Sequence, residues 1–152
     1  MMWIQSVIEE LKELAKTGAL KLHSGASEAE LKELEVIYNK VLPEDFRTFY
    51  KFCNGFETDE DIFNMIMIEE IIENKKRFNN SLYIAEYMIY SDIWELDISP
   101  QNPNDYQITN LTRSGTTITL TRSLAEFIHR FLKGGVFEKG GLYDWHEEIL
   151  KG

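Results

Sequence analysis

Over the first sixteen residues, Trp3, Ile4, Val7, Ile8, Leu11, Leu14 and Ala15 recur every three or four positions, with Glu9, Glu10, Lys12, Glu13 and Lys16 between them. That spacing predicts an amphipathic helix, ended by Thr17-Gly18. A polar stretch over 20–26 follows. Ser27 then stands three residues before Glu30, the two halves of a capping box, and opens a second helix with Leu31, Leu34, Ile37, Tyr38 and Val41 on its apolar side. A third helix begins at Leu42-Pro43, where the missing N–H of Pro43 suits a first turn and Glu44 and Asp45 suit the positive end of the dipole. Leu42, Phe46, Phe49 and Cys53 form its buried stripe, and Asn54-Gly55 ends it through a left-handed glycine.

Beyond Gly55 the period changes. Residues 56–61 form an acidic loop and 62–65 a short strand, before a helix over 68–78 with Glu69, Glu70 and Glu73 near its start and Lys75, Lys76 and Arg77 near its end. Residues 82–89 are apolar on both sides, as a central strand would be. Residues 93–98 alternate, Trp94, Leu96 and Ile98 against Glu95 and Asp97. Tyr90-Ser91-Asp92 is the expected turn between these two strands. Strands over 106–111 and 116–121, joined through Arg113-Ser114-Gly115, extend an antiparallel meander. Ser123 caps a helix carrying Leu124, Phe127, Ile128, Phe131 and Leu132, stopped by Gly134-Gly135, and a last short helix spans 142–150. The predicted class is α+β, an antiparallel β-meander sheet covered on one face by N-terminal and C-terminal helices, in one domain over 1–152.

One set of residues adds a family. Leu31 to Glu35, Leu42-Pro43, the aromatic-rich 46–52, Asn54-Gly55, Phe63, the 68–72 helix and Ser123-Leu124-Ala125-Glu126-Phe127 together resemble the signature of the SUKH superfamily. That group includes the Smi/Knr cell-wall regulators of fungi and many bacterial immunity proteins. The resemblance covers about residues 28–133 and implies the same α+β fold. It also implies a non-enzymatic immunity protein that binds and neutralises a cognate bacterial toxin, with a nuclease as the expected kind. The alternative it implies is a regulatory or scaffold domain of the Smi/Knr type, which binds a cellular partner without neutralising a toxin. Fungal members carry long disordered extensions absent from these 152 residues, which favours the immunity reading.

Composition sharpens the choice of partner. The net charge is −10, and residues 52–112 hold twelve acids against three bases, so the centre of the chain carries −9 of it. Such a centre repels phosphate backbones and anionic lipid, and attracts a basic protein. No direct nucleic-acid or membrane binding is expected. The single cysteine, Cys53, sits on an apolar stripe and cannot form an internal disulfide, which fits a reducing cytoplasm. The N-terminal residues lack the pattern of a signal peptide, with Glu9, Glu10 and Lys12 arriving early.

No catalytic constellation stands out. His146-Glu147-Glu148 is a close cluster, but consecutive helical residues diverge, so no metal or other cofactor is assigned. The Gly134-Gly135 and Gly140-Gly141 pairs lack the spacing of a phosphate loop and read as hinges. The candidate partner-binding residues are Glu57, Asp59, Glu60 and Asp61 in the acidic loop, with Tyr90, Asp92, Glu95 and Asp97 around the next hairpin. They would form one electronegative contact surface, with Tyr90 as an aromatic anchor.

Overall fold

Residues 3–58, 62–78, 80–111, 115–136 and 138–151 are described by the computed structural model, in which local sequence signals and burial agree over most of the chain. The first half runs α1 (Ile4–Lys16), β1 (Leu20–Leu22), α2 (Glu28–Tyr38), α3 (Glu44–Phe52), β2 (Phe56–Thr58), β3 (Phe63–Met65) and α4 (Ile68–Glu73). The second runs β4 (Tyr83–Tyr87), β5 (Asp92–Ile98), β6 (Tyr106–Leu111), β7 (Thr117–Thr121), α5 (Leu124–Gly134) and α6 (Leu142–Lys151). Strands β1 to β7 pair in sequence order, each antiparallel to the next, so the sheet is a continuous meander.

Side-chain alternation divides the sheet into two faces. Phe56, Phe63, Met65, Ala85, Trp94, Leu96, Ile108 and Ile118 are buried on one, where α1 meets β1 and α5 and α6 meet β7. Val7, Leu11, Phe46, Phe49, Phe127 and Phe131 fill the space between these helices and the strands. The opposite face carries a cross-strand row of Lys21, Glu57, Asn64, Glu86 and Ile93. Beside that row lie Glu95 against Thr109 and Asp97 against Gln107.

Several elements differ from expectation for identifiable reasons. Strands β1 and β2 occupy what read as a polar stretch and a loop, because three-residue strands are too short for alternation to register. The α4 helix stops at Glu73 rather than Phe78, and 74–78 continue as turns in which the Asn74 amide donates to the Tyr90 hydroxyl at 2.7 Å and Phe78 packs edge-on against Tyr83 at 5.0 Å. Pro43 is the N-cap of α3 and not a residue of its first turn. The helix ends at an extended Cys53, two residues before Gly55 takes its φ of +81°. The glycine pairs after α5 are not hinges. An added Cβ on Gly134 would lie 2.4 Å from the Gly141 nitrogen, so the backbones touch there and fold α6 back beside α5.

Candidate functional site

The face of the sheet opposite α1, α5 and α6 holds three of the eight predicted contact residues, Glu57, Glu95 and Asp97. Glu57 is half-exposed on β2, with its carboxylate 3.9 Å from His23 Nε2. Asp97 is exposed on β5 and accepts a 3.0 Å bond from the Gln107 amide. Between them, Glu95 is partly buried. Desolvation holds its carboxyl above the usual range, a hydrogen bond with Ser81 and the charge of Lys40 pull it down, and the charge of Asp97 pushes it up. Asp59, Glu60 and Asp61 lie outside the described residues.

Tyr90 borders this face on the β4–β5 turn. The turn spans 88–91 and not 90–92, so Asp92 belongs to the strand. Tyr90 is held on all sides: its hydroxyl donates to Glu70, its N–H donates to Glu86 at 2.8 Å, and the Arg77 guanidinium stacks 4.9 Å from its ring centre. The Glu86 carboxylate is buried beneath and also accepts from Asn64 at 2.6 Å, so two neutral donors satisfy it.

Asp92 does not join the acidic face. Two residues from Trp94 on the same strand, it shares the core side, and both its oxygens are engaged: Oδ1 accepts from the Asn110 amide at 2.6 Å and Oδ2 from the Tyr143 hydroxyl at 2.7 Å. The Trp94 indole N–H donates to His146 Nε2 at 3.3 Å in the same cluster. These bonds fasten α6 to the sheet. None was visible in sequence, because Asp92, Asn110 and His146 read singly as loop, strand and helix residues.

Burial of His146 lowers its pKa below the usual 6.5, with the charge of Asp92 opposing. The sign follows: between the lowered folded value and 6.5 the unfolded chain binds the proton that the folded chain refuses. Stability is therefore expected to be full above pH 6.5 and to fall as pH drops below it. Urea midpoints from pH 7.5 to 5 check this. The His146→Gln variant should show a shallower decline than the parent, and equal slopes would contradict the assignment.

A groove of about 380 Å³ lies between the C-terminal end of α2 and the β5–β6 loop, lined by Lys32, Val36, Lys40, Val41, Pro100 and Pro103 among others. Cys53 is buried, and desolvation pushes its thiol up to about 12, so it is a packing residue and not a nucleophile. His146 turns to Trp94 while Glu148 accepts from Arg130 at 3.4 Å, so the C-terminal acids and histidine do diverge.

The motif residues between α2 and α4 hold the scaffold together. Glu35 accepts the Leu42 N–H at 2.9 Å and pairs with Arg47 at 3.3 Å, fixing the entry to α3 against α2. Tyr50 donates its hydroxyl to the Ile66 carbonyl at 2.7 Å. Buried Asn54 accepts the Ile68 N–H at 2.8 Å and donates to Glu69 at 2.7 Å, so it ties the end of α3 to the start of α4. The family model of the SMI1 / KNR4 family (SUKH-1) matches residues 25–130, which span these contacts. The chain belongs to the SUKH-1 family.

In this SUKH-1 protein, then, the recognisable residues build the fold and the acidic face is separate from them. No curated protein matches the chain. Among the described residues, no helix is long and apolar enough to cross a membrane.

Proposed function

We propose that this SUKH-1 protein is a cytoplasmic, non-enzymatic immunity protein of one domain that binds and neutralises a basic toxin through the acidic face of its sheet. The observation that carries the reading is the placement of Glu57, Glu95 and Asp97 on one strand face, away from the helices that bury the core. A nuclease is the kind of toxin that suits it. Such an enzyme holds its phosphate backbone with basic residues, and fixed carboxylates can occupy the same surface. Electrostatic steering also speeds capture, which protects a cell that makes its own toxin.

Charge reversal tests the face. Glu95→Lys with Asp97→Lys is expected to slow association about tenfold at low salt and to flatten its salt dependence. The same is expected for reversal at Asp59, Glu60 and Asp61. Unchanged association rates in both sets would remove the assignment.

Capture from native cells, washed first at low and then at high salt, identifies the partner. A basic protein that arrests growth when expressed alone, and not when co-expressed with this chain, is the expected result. Recovery of cellular regulators without growth arrest would favour the regulatory or scaffold reading of the family.

A further inference from the structure

The tip of the β4–β5 hairpin breaks two rules at once. Met88, Ile89 and Tyr90 all have positive φ, at 53°, 52° and 63°, although none is glycine. A left-handed conformation is unfavourable for any side chain and most of all for a β-branched one such as Ile89. Turns of this kind ordinarily use Asn and Gly. Ile89 is also 83% exposed and Met88 46% exposed, so the apolar side chains gain little from burial in the folded chain.

A third residue joins them. Met88 donates its N–H to the Ile62 carbonyl at 3.0 Å, and Ile62 is itself left-handed at φ 53° and 49% exposed. Ile62, Met88 and Ile89 thus project from two adjacent connections at one end of the sheet. The backbone beneath them is fastened by the Ser91 N–H to the Met88 carbonyl at 3.2 Å and by the Tyr90 contacts to Glu70, Asn74, Glu86 and Arg77. Strained backbone held in place by surrounding contacts is characteristic of ligand clamps.

The charge around this knob specifies what covers it. Glu70 and Glu86 support Tyr90, on which the Arg77 guanidinium stacks; Glu57 lies on the neighbouring β2 opposite Lys21, and Asp59-Glu60-Asp61 immediately precede Ile62 in the sequence. We infer that Ile62, Met88 and Ile89 form the apolar anchor of the partner interface, inserting into a hydrophobic pocket ringed by basic residues on the partner. The inference rests on the acidic-face reading and deepens it: the carboxylates steer, and the knob sets how long the complex lasts. A knob already fixed in its bound shape loses little freedom on docking.

Model ligands test this without the natural partner. Three labelled fourteen-residue amphipathic helical peptides, one of lysine and leucine, one of lysine and serine and one of glutamate and leucine, are titrated into the full chain at low salt. Methyl NMR of the isoleucines, methionines and valines reports the contact. The lysine–leucine peptide is expected to bind at least tenfold tighter than the lysine–serine peptide and to shift the Ile62, Met88 and Ile89 methyls. The glutamate–leucine peptide should not bind.

The decisive variant is Ile89→Gly. Glycine accepts the left-handed turn, so its Tm is expected to rise by about 2–4 °C while the tenfold advantage of the lysine–leucine peptide disappears and lysine–serine binding persists. Ile89→Ser, lacking the glycine's backbone freedom, should lose the same advantage without the gain in Tm.

Equal binding of the two lysine peptides to the parent would overturn the anchor and leave the acidic face standing. Binding of neither would overturn both. Shifts confined to Val36 and Val41 would put the apolar contact in the α2 groove and overturn the anchor. Concentration-dependent dimerisation of the parent, abolished in Ile89→Gly, would show a second copy as the occupant and likewise overturn it.

Discussion

Alanine at Phe63 is expected to remove about 3–5 kcal/mol of folding stability, at the top of the range for a single core side chain. Phe63 is fully buried on the three-residue strand β3, and its ring stacks on Phe131 with centroids 4.0 Å apart. Trp94 lies 5.6 Å away, and Phe56 and Phe127 each 6.3 Å. It therefore joins the middle of the sheet to α5, and its removal leaves a cavity lined by rings that cannot collapse inward together. A domain of this kind holds only about 5–15 kcal/mol in all, so the variant should unfold at markedly lower urea. Phe63→Leu, which leaves a smaller void, should lose less. A loss below about 1 kcal/mol for alanine would show that the ring is not the hub of the core.

Alanine at Gly55 is expected to cost about 3 kcal/mol, for two separable reasons. The backbone there has φ +81°, which disfavours any Cβ, and an added Cβ would stand 2.3 Å from the Met65 carbonyl oxygen. Neither the β2–β3 pairing of Phe56 with Met65 nor the Gly55 carbonyl, which accepts from the His23 N–H at 3.2 Å, can shift freely. Gly18 supplies the control. Its φ is +83° with nothing within 4 Å of an added Cβ, so Gly18→Ala should carry only the conformational part, about 1 kcal/mol. Similar losses at both positions, in paired urea titrations, would show that the close approach at Gly55 is unimportant.

The same two residues show where reading the chain alone succeeds. Asn54-Gly55 was recognisable as the end of α3, and Phe63 as a strand residue, because helix stops and apolar strand residues leave local marks. Ser27 with Glu30 makes the capping box that the spacing predicts, and Ser123 caps α5 by the single bond its hydroxyl accepts from the Glu126 N–H. What was not local was misread. Gly55 is left-handed as expected, but it lies two residues past the Cys53 cap, and β3 passes so close that only glycine fits.

The candidate face was legible in part for the same reason. Period-two alternation put Glu95 and Asp97 on one side of β5, and the structure keeps them there. The same alternation places Asp92 opposite, once the strand is seen to begin one residue earlier than predicted; a boundary shift of one residue changed its role from surface charge to the bond that fastens α6. Glu86, apparently an ordinary acid in a central strand, is buried under the turn by contacts with Asn64 and Tyr90.

The amino-acid sequence by itself determined most of the element types, the Ser27 and Ser123 caps, the acidic character of residues 52–112 and the family, because each depends on spacing or composition within a few residues or on a recognisable pattern. Tertiary structure alone decided that two three-residue strands extend the sheet, that Asp92 faces inward, and that Ile62 meets Met88 and Ile89 at one apolar tip. Those outcomes depend on cross-strand register and on loops meeting in space. Register is fixed by the sum of pairings across the sheet, and no single segment contains that information.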